Sequence, residues 1–192
     1  MQTRITELLD YGIPGEFGKT NPRRVDSAVI AADVVMGGPI GRKSDGSVGP
    51  YGSTYSTYLG VGVSTHQHVS YGVGGVALAP TLSVKAGATI GIVTMGDVYM
   101  SVPLEVTPAD TYFASEAAAK AAMRAVVVKA GDGIYVTSAG VLTTSSGGNT
   151  LVGYVIETRD CGELADSDIT LTGSSTTVTK AAASLTVMVR IG

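Results

Sequence analysis

The amino-acid sequence predicts an all-β fold: a sandwich or jelly-roll-like β domain with an N-terminal extended arm and one short helix. Three observations carry this reading. Short β-branched apolar runs recur along the chain with Gly-rich turns between them. Only Ser115 to Arg124 (SEAAAKAAMR) has helical composition, with Ala dominant and Glu116/Lys120 in the favourable i,i+4 order. A parallel sheet would need repeated helical crossovers, which one helix cannot supply. Helix content below about 15% follows, against the usual third of a soluble domain.

The elements can be justified in chain order. Met1 to Asp10 (MQTRITELLD) has no long apolar core of a secretory signal and is too short for a helix stable by itself in water. Tyr11 to Asp26 is so densely punctuated by Gly12, Pro14, Gly15, Gly18, Asn21 and Pro22 that it reads as an extended arm unable to hold a ladder. Ser27 to Val35 (SAVIAADVV) is the first strand, closed by Gly37, Gly38 and Pro39. Ile40 to Tyr58 reads as loop, with turns at Ser44-Asp45-Gly46 and Gly49-Pro50-Tyr51-Gly52. Further strands are expected over Leu59–Thr65, Gly75–Leu78, Ala88–Thr94, Val98–Val102, Thr111–Phe113, Ala125–Val128, Ile134–Thr137, Leu151–Thr158 and Leu185–Ile191. Asp132-Gly133 and Ala139-Gly140 supply tight turns. Gly162 to Ser184 is polar, but the strand LTVMVRI after it ties the end of the chain into a sheet. Val29, Ile30, Val34, Ile90, Ile92, Val98, Val152, Val155, Leu185, Val187 and Val189 are the expected core. The chain divides into an arm, residues 1–26, and a β-rich domain, residues 27–192, with a possible subdivision near 110–125.

Composition narrows the function classes. The 192 residues suit one domain, and the single Cys allows no disulfide within the chain. Charged residues make up 15%, well below the usual quarter or so, which suggests that much of the surface meets other protein. Mean hydropathy is +0.29, yet no run of about 18 apolar residues implies a membrane span. A net charge of −3 argues against a dedicated nucleic-acid binder.

Motifs that could carry chemistry fail on spacing or context. Gly12 to Thr20 (GIPGEFGKT) evokes a phosphate-binding loop, but the position that needs the first glycine holds Ile13. Gly72 to Ala77 (GVGGVA) spells a dinucleotide-binding fingerprint between strands, where no helix follows to receive the pyrophosphate. His66 and His68 share one strand face, but a metal site needs further ligands that the sequence does not identify. Glu157, Asp160, Glu163, Asp166 and Asp168 form an acidic loop without the alternation of a calcium loop. Arg23, Arg24, Arg42 and Lys43 concentrate positive charge near the front, too little for DNA but suited to an acidic protein surface. No catalytic constellation emerges, and no cofactor, metal or catalytic residue is expected.

The order of landmarks nevertheless resembles the phage structural cement, or capsid decoration, proteins. Gly12-Ile13-Pro14-Gly15-Glu16 matches a G-x-P-G-E motif after a short arm, and Pro39 to Arg42 a Gly-Pro-Ile-Gly-Arg-like segment. Leu78 to Leu82, the Met-Gly strand from Val93 to Val102, and the Val-Gly-Tyr-Val strand within Leu151 to Val155 follow in the family order. The resemblance implies a non-enzymatic protein that binds the outside of an icosahedral phage head and bridges major capsid subunits. It also implies a virion location after synthesis in the host cytoplasm. A homo-oligomer, dimer or trimer, suits the capsid symmetry axes, and neither nucleic acid nor membrane is an expected partner. A tail or baseplate sandwich and a carbohydrate-binding module are the alternatives, because fold does not fix function.

Composition is consistent with that role. Nine Tyr stand against two Phe, and Tyr is favoured where protein surfaces meet. The expected capsid contacts are Ile5, Leu8, Leu9, Tyr11, Phe17, Arg23, Arg24 and Arg42, together with Tyr51, Tyr55 and Tyr58 in one loop. Apolar side chains in the arm would anchor it on a neighbour, and its basic residues would steer the encounter.

Overall fold

The computed structural model describes residues 14–18, 22–63, 82–109, 111–126, 128–158, 164, 166, 169–174 and 177–192. The strands are β1 (Arg24–Val29), β2 (Val34–Val35), β3 (Pro39–Arg42), β4 (Val48–Pro50), β5 (Thr57–Val63), β6 (Ser83–Val84), β7 (Thr89–Val106), β8 (Gly133–Val136), β9 (Leu142–Thr143), β10 (Thr150–Thr158), β11 (Thr170–Ser174) and β12 (Thr177–Ile191). The helix is α1 (Glu116–Ala125). The fold is all-β as expected, with 56% strand and 8% helix. Ten strands join in one sheet along the path β4-β3-β5-β7-β12-β10-β8-β9, with β1 on β7 and β11 on β12, and β2 and β6 form a separate pair.

The eighteen-residue β7 organises everything else. Its first part lies between β1 and β5: Val93 faces Val25 on one side and Val61 on the other. Its second part runs antiparallel to β12, from Gly96 opposite Ile191 to Val106 opposite Ala181. The sequence reading places two strands here, Ala88–Thr94 and Val98–Val102, with Met95-Gly96-Asp97 between them. Gly96 instead sits at φ +135° inside the strand, where β7 exchanges one set of neighbours for another.

Two apolar clusters hold the layers together. The larger takes Val61, Val63 and Val93 from the β5 side, Val98, Met100, Val102 and Leu104 from β7, and alternate residues of β12 from Ala181 to Ile191. Helix α1 contributes Ala119 and Met123, four residues apart on one face and fully buried. Ser115 caps the helix by accepting a hydrogen bond from Ala118 N at 3.1 Å. The smaller cluster, with Ile30, Val34, Met36, Ile40, Val48, Ile90 and Ile92, covers the opposite face of β7. Ile90 and Ile92 alternate with Gly91 and Val93, so one strand serves both cores.

Ten of the eleven expected core residues are buried, and Val29 is not: it is 61% exposed. Along β1 the side chains alternate, so Ala28 packs on the smaller cluster while Val29 points to the other face at the sheet margin, opposite exposed Thr89. Several boundaries also differ. Ser27–Val35 is interrupted, with Ile30 in an isolated bridge to Val48 and a bend before β2. The expected loop Ile40–Tyr58 contains most of β3, all of β4 and the start of β5. Phe113 makes only a bridge to Val178, and Ala125–Val128 forms no strand because Ala125 ends the helix. The turn before β8 is Lys129–Asp132, with Ala130-Gly131 as its central pair two residues earlier than expected, whereas Ala139-Gly140 turns as expected, with Gly140 N donating to Thr137 O. The polar tail holds β11 and the first half of β12, where exposed Thr177, Thr179 and Ser184 are interspersed with buried Val178, Ala181 and Ala183, as in a sheet with one wet face. The expected strand Gly75–Leu78 lies outside the described residues.

Candidate interaction surface

The described part of the arm docks on its own domain. Gly15 N donates to Tyr99 O at 2.8 Å, Tyr99 N to Glu16 O at 2.9 Å, and Gly18 N to Asp97 O at 2.8 Å. Pro14 to Gly18 therefore lines the margin of β7 that β12 leaves open, and Phe17 bridges Val98. The expectation that Tyr11 to Asp26 could hold no ladder is corrected at its end, where Arg24–Asp26 pair with β7 as the start of β1, while Pro14–Gly18 docks through three backbone bonds and one bridge because glycine lets the chains approach. A Cβ on Gly15, at φ +88°, would lie 2.7 Å from Met36 Cβ and 2.9 Å from Gly37 N. A Cβ on Gly18 would collide with Met188 Sδ. The arm and domain also interpenetrate at the expected boundary, since β1 starts at Arg24.

Beneath this segment lies Asp97, whose side chain is fully enclosed. Arg190, its cross-strand partner on β12, grips it with two hydrogen bonds, Nε to Oδ1 at 2.9 Å and Nη2 to Oδ2 at 3.0 Å. These bonds hold the guanidinium above its ordinary pKa, more by hydrogen bonding than by simple charge attraction. The sequence reading did not nominate either residue. The available signal was a lone carboxylate inside the apolar run VTMGDVYM and a lone arginine inside VMVRI.

The expected contact residues fall into three groups. Ile5, Leu8, Leu9 and Tyr11 lie outside the described residues, as do His66, His68 and Cys161. Arg23, Arg24 and Arg42 are exposed. The Arg23 guanidinium sits 4.1 Å above the centre of the half-buried Phe17 ring, a cation–π contact that fixes the exit of the arm. Tyr51, Tyr55 and Tyr58 are half-buried and pack largely inward. Tyr51 and Tyr58 meet edge to face at 5.6 Å, both against the larger core. Gly49 makes room for the Tyr55 ring. Tyr58 Oη is buried without a hydrogen-bond partner, and burial, followed by the neighbouring Tyr51, pushes its pKa well up.

Charge on the surface is partly matched within the chain. Lys43 pairs with Asp45 at 3.2 Å, and Lys180 with Glu105 at 2.5 Å. Asp166 from the acidic loop pairs with Lys120 and Arg124 of α1, so part of that loop closes over the helix. Exposed apolar side chains concentrate on Val25, Val29 and Met95 near the β1 margin and on Leu151 and Tyr154 of β10. Among the described residues no group of three or more His, Cys, Asp or Glu could hold a metal ion, and no helix is long and apolar enough to cross a membrane. The described surface offers contact area and fixed cations.

Residues 1–191 match the family described as structural cement protein (E217 gp24/Pam3 gp6). The chain belongs to the phage structural cement family. It is thus a capsid cement protein, a structural component of the virion that associates with the capsid shell. Its motif from Gly12 to Glu16 is, in its described half, the segment docked on β7. No curated protein matches the chain. Among solved structures it is similar to a chain from the capsid of Myoviridae phage XM1, with 15% identity, TM-score 0.49, and coverage of 100% of this chain and 97% of that one.

Proposed function

We propose that this cement protein binds the outer surface of an icosahedral phage head as a homo-oligomer and bridges neighbouring major capsid subunits, with no catalytic step, nucleic acid or membrane involved. The observation that carries the reading is the family match over residues 1–191. The low charge content and the absence of a nominated catalytic constellation are in keeping with it. In this reading residues 1–26 are the arm, and its capsid-facing part is the stretch before Pro14, where Ile5, Leu8, Leu9 and Tyr11 are concentrated. Burying each such side chain on a neighbour is worth about 1.5–3 kcal/mol. Exposed Arg24 and Arg42 steer the encounter with acidic capsid groups. Phe17, Arg23 and the Tyr51, Tyr55 and Tyr58 loop act chiefly by stiffening the surface they belong to, with their remaining exposed area available to the shell.

The test is reconstitution. Purified protein is mixed with heads that lack it, sedimented, and imaged by cryo-electron microscopy. Density on the outer shell at capsid subunit junctions is the expected result. Failure to sediment with heads, or density confined to the tail, would remove the proposal. Arg24→Glu with Arg42→Glu should slow association and reduce its dependence on salt, leaving the melt unchanged.

A further inference from the structure

Strand β1 ends the sheet on a margin that invites another strand. Its partner on one side is β7, in register from Val25 opposite Val93 to Val29 opposite Thr89. Ile30 N donates inward to Ala88 O, so by alternation Ala28 and Asp26 point their backbone groups at β7. Val25, Ser27 and Val29 then turn theirs to the open side, where no described strand pairs with them. Those same residues share one side-chain face, with Val25 39% and Val29 61% exposed. The face continues the larger core, since Val25 Cγ1 and Val63 Cγ2 both border the position a Cβ on Gly91 would take. The charged residues of β1, Arg24 and Asp26, stand outside the Val25-Ser27-Val29 face, and that face itself carries neither Pro nor a charge to protect the edge.

We infer that β1 is a self-pairing edge, which joins two copies of this chain through antiparallel β1–β1 contact about a two-fold axis at Ser27. The stripe Val25-Ser27-Val29 reads the same in both directions. Around that axis Val25 of each copy meets Val29 of the other, and the two Ser27 meet each other. All three opposed pairs use outward-facing backbone groups, so the joint closes with about six hydrogen bonds. Apolar and hydroxyl pairs are the cross-strand combinations that stabilise a sheet, and the contact is isologous and therefore closed. A six-residue strand pair buries less than the roughly 1,200 Å² of a stable complex. Free copies therefore associate weakly, and a shell that holds two copies side by side raises their effective concentration enough to close the joint. The inference deepens the homo-oligomer reading and rests on it.

The test uses the full chain and separates self-pairing from head binding. In a Cys161→Ser background, Ser27→Cys places two thiols opposite each other, about 5.5 Å apart at Cα and within disulfide reach. It should give a disulfide dimer at least about tenfold faster than Val35→Cys, an exposed position on β2 away from the β1 margin. Sedimentation equilibrium up to millimolar protein should show a dimer that Val25→Lys with Val29→Lys abolishes while the circular dichroism and melt stay unchanged. Equal crosslinking rates at the two positions, or a dimer that survives both lysines, overturns the inference. So does a wild type that stays monomeric at every concentration yet loses head binding in the lysine variant, because the edge would then receive a capsid strand. Failure of the wild type to bind heads bears on the capsid reading alone, since self-pairing is read in the free protein.

Discussion

Asp97 and Arg190 show how unevenly two partners can share one ion pair. Asp97 is enclosed, whereas about half of the Arg190 side chain reaches solvent. Removing the arginine takes two hydrogen bonds from a buried carboxylate, and removing the aspartate leaves a cation that water can reclaim. Arg190→Ala should therefore cost about 3–5 kcal/mol, and Asp97→Ala less, about 1–3 kcal/mol, both read by urea denaturation at neutral pH. The pH response of Arg190→Ala follows. Without the two Arg190 bonds the enclosed Asp97 is easier to keep folded as the neutral acid, so the deficit shrinks as pH falls. A deficit that stays constant from pH 7 to about 4 would mean that the carboxylate finds another partner. Tyr58 makes the opposite case. Its hydroxyl is buried and unbonded, so Tyr58→Phe should leave stability unchanged or raise it by up to about 1 kcal/mol. Neither the enclosed carboxylate nor the unbonded tyrosine hydroxyl was legible from sequence, because burial of a charge or a hydroxyl depends on which strand lies opposite.

At the scale of elements, what the sequence made legible follows the strength of each local signal. The helix was readable to within one residue, because Ala content, the Ser115 cap and the Glu116/Lys120 order all agree. Strands β10 and β12 were readable in their apolar parts. Strands β3 and β4 were not, since PIGR and VGP are short and glycine-bearing, and it is tertiary pairing that holds them. The two-residue pair β2–β6 depends on a clasp just outside it. Lys85 Nζ donates to Asp33 Oδ2 at 2.6 Å and Ala86 N to Oδ1 at 3.0 Å. These bonds, that of Lys85 first, hold the Asp33 carboxyl below its ordinary pKa. A lowered folded-state pKa contributes stability above the unfolded value, near 3.9, and loses it as pH falls through the folded value. Asp45 behaves alike, held down to about 2 by hydrogen bonds from Ser47 and then by Lys43. Asp33→Asn should accordingly lower the melting temperature at neutral pH and flatten its decline below about pH 4. An acid limb with unchanged slope would show that the clasp does not contribute to folding.

For the whole molecule the open question is which part of the front of the chain belongs to the domain and which to the shell. The landmark order was legible and the family followed from it. The docking of Pro14–Gly18 was not, because glycine and proline argue against strand locally while close approach to β7 and Gly37 requires glycine. This division predicts that a change within the docked segment and a deletion ahead of it have separable effects. Deleting residues 1–13 leaves every described backbone bond of the arm in place, so the β-rich spectrum and the cooperative melt should persist while sedimentation with cement-free heads falls sharply. Gly15→Ala should act in the reverse sense. It forces an alanine into φ +88° against Met36 and Gly37, at about 1–3 kcal/mol, and loosens the cover over Asp97. The melt should drop, and head binding should weaken only to the extent that the arm is released. Thermal denaturation and co-sedimentation on the same two variants decide the matter. If the deletion unfolds the protein, the first thirteen residues are structural. If it binds heads at full stoichiometry, the arm is dispensable and the contact must be sought on the exposed arginines and β-sheet margins instead.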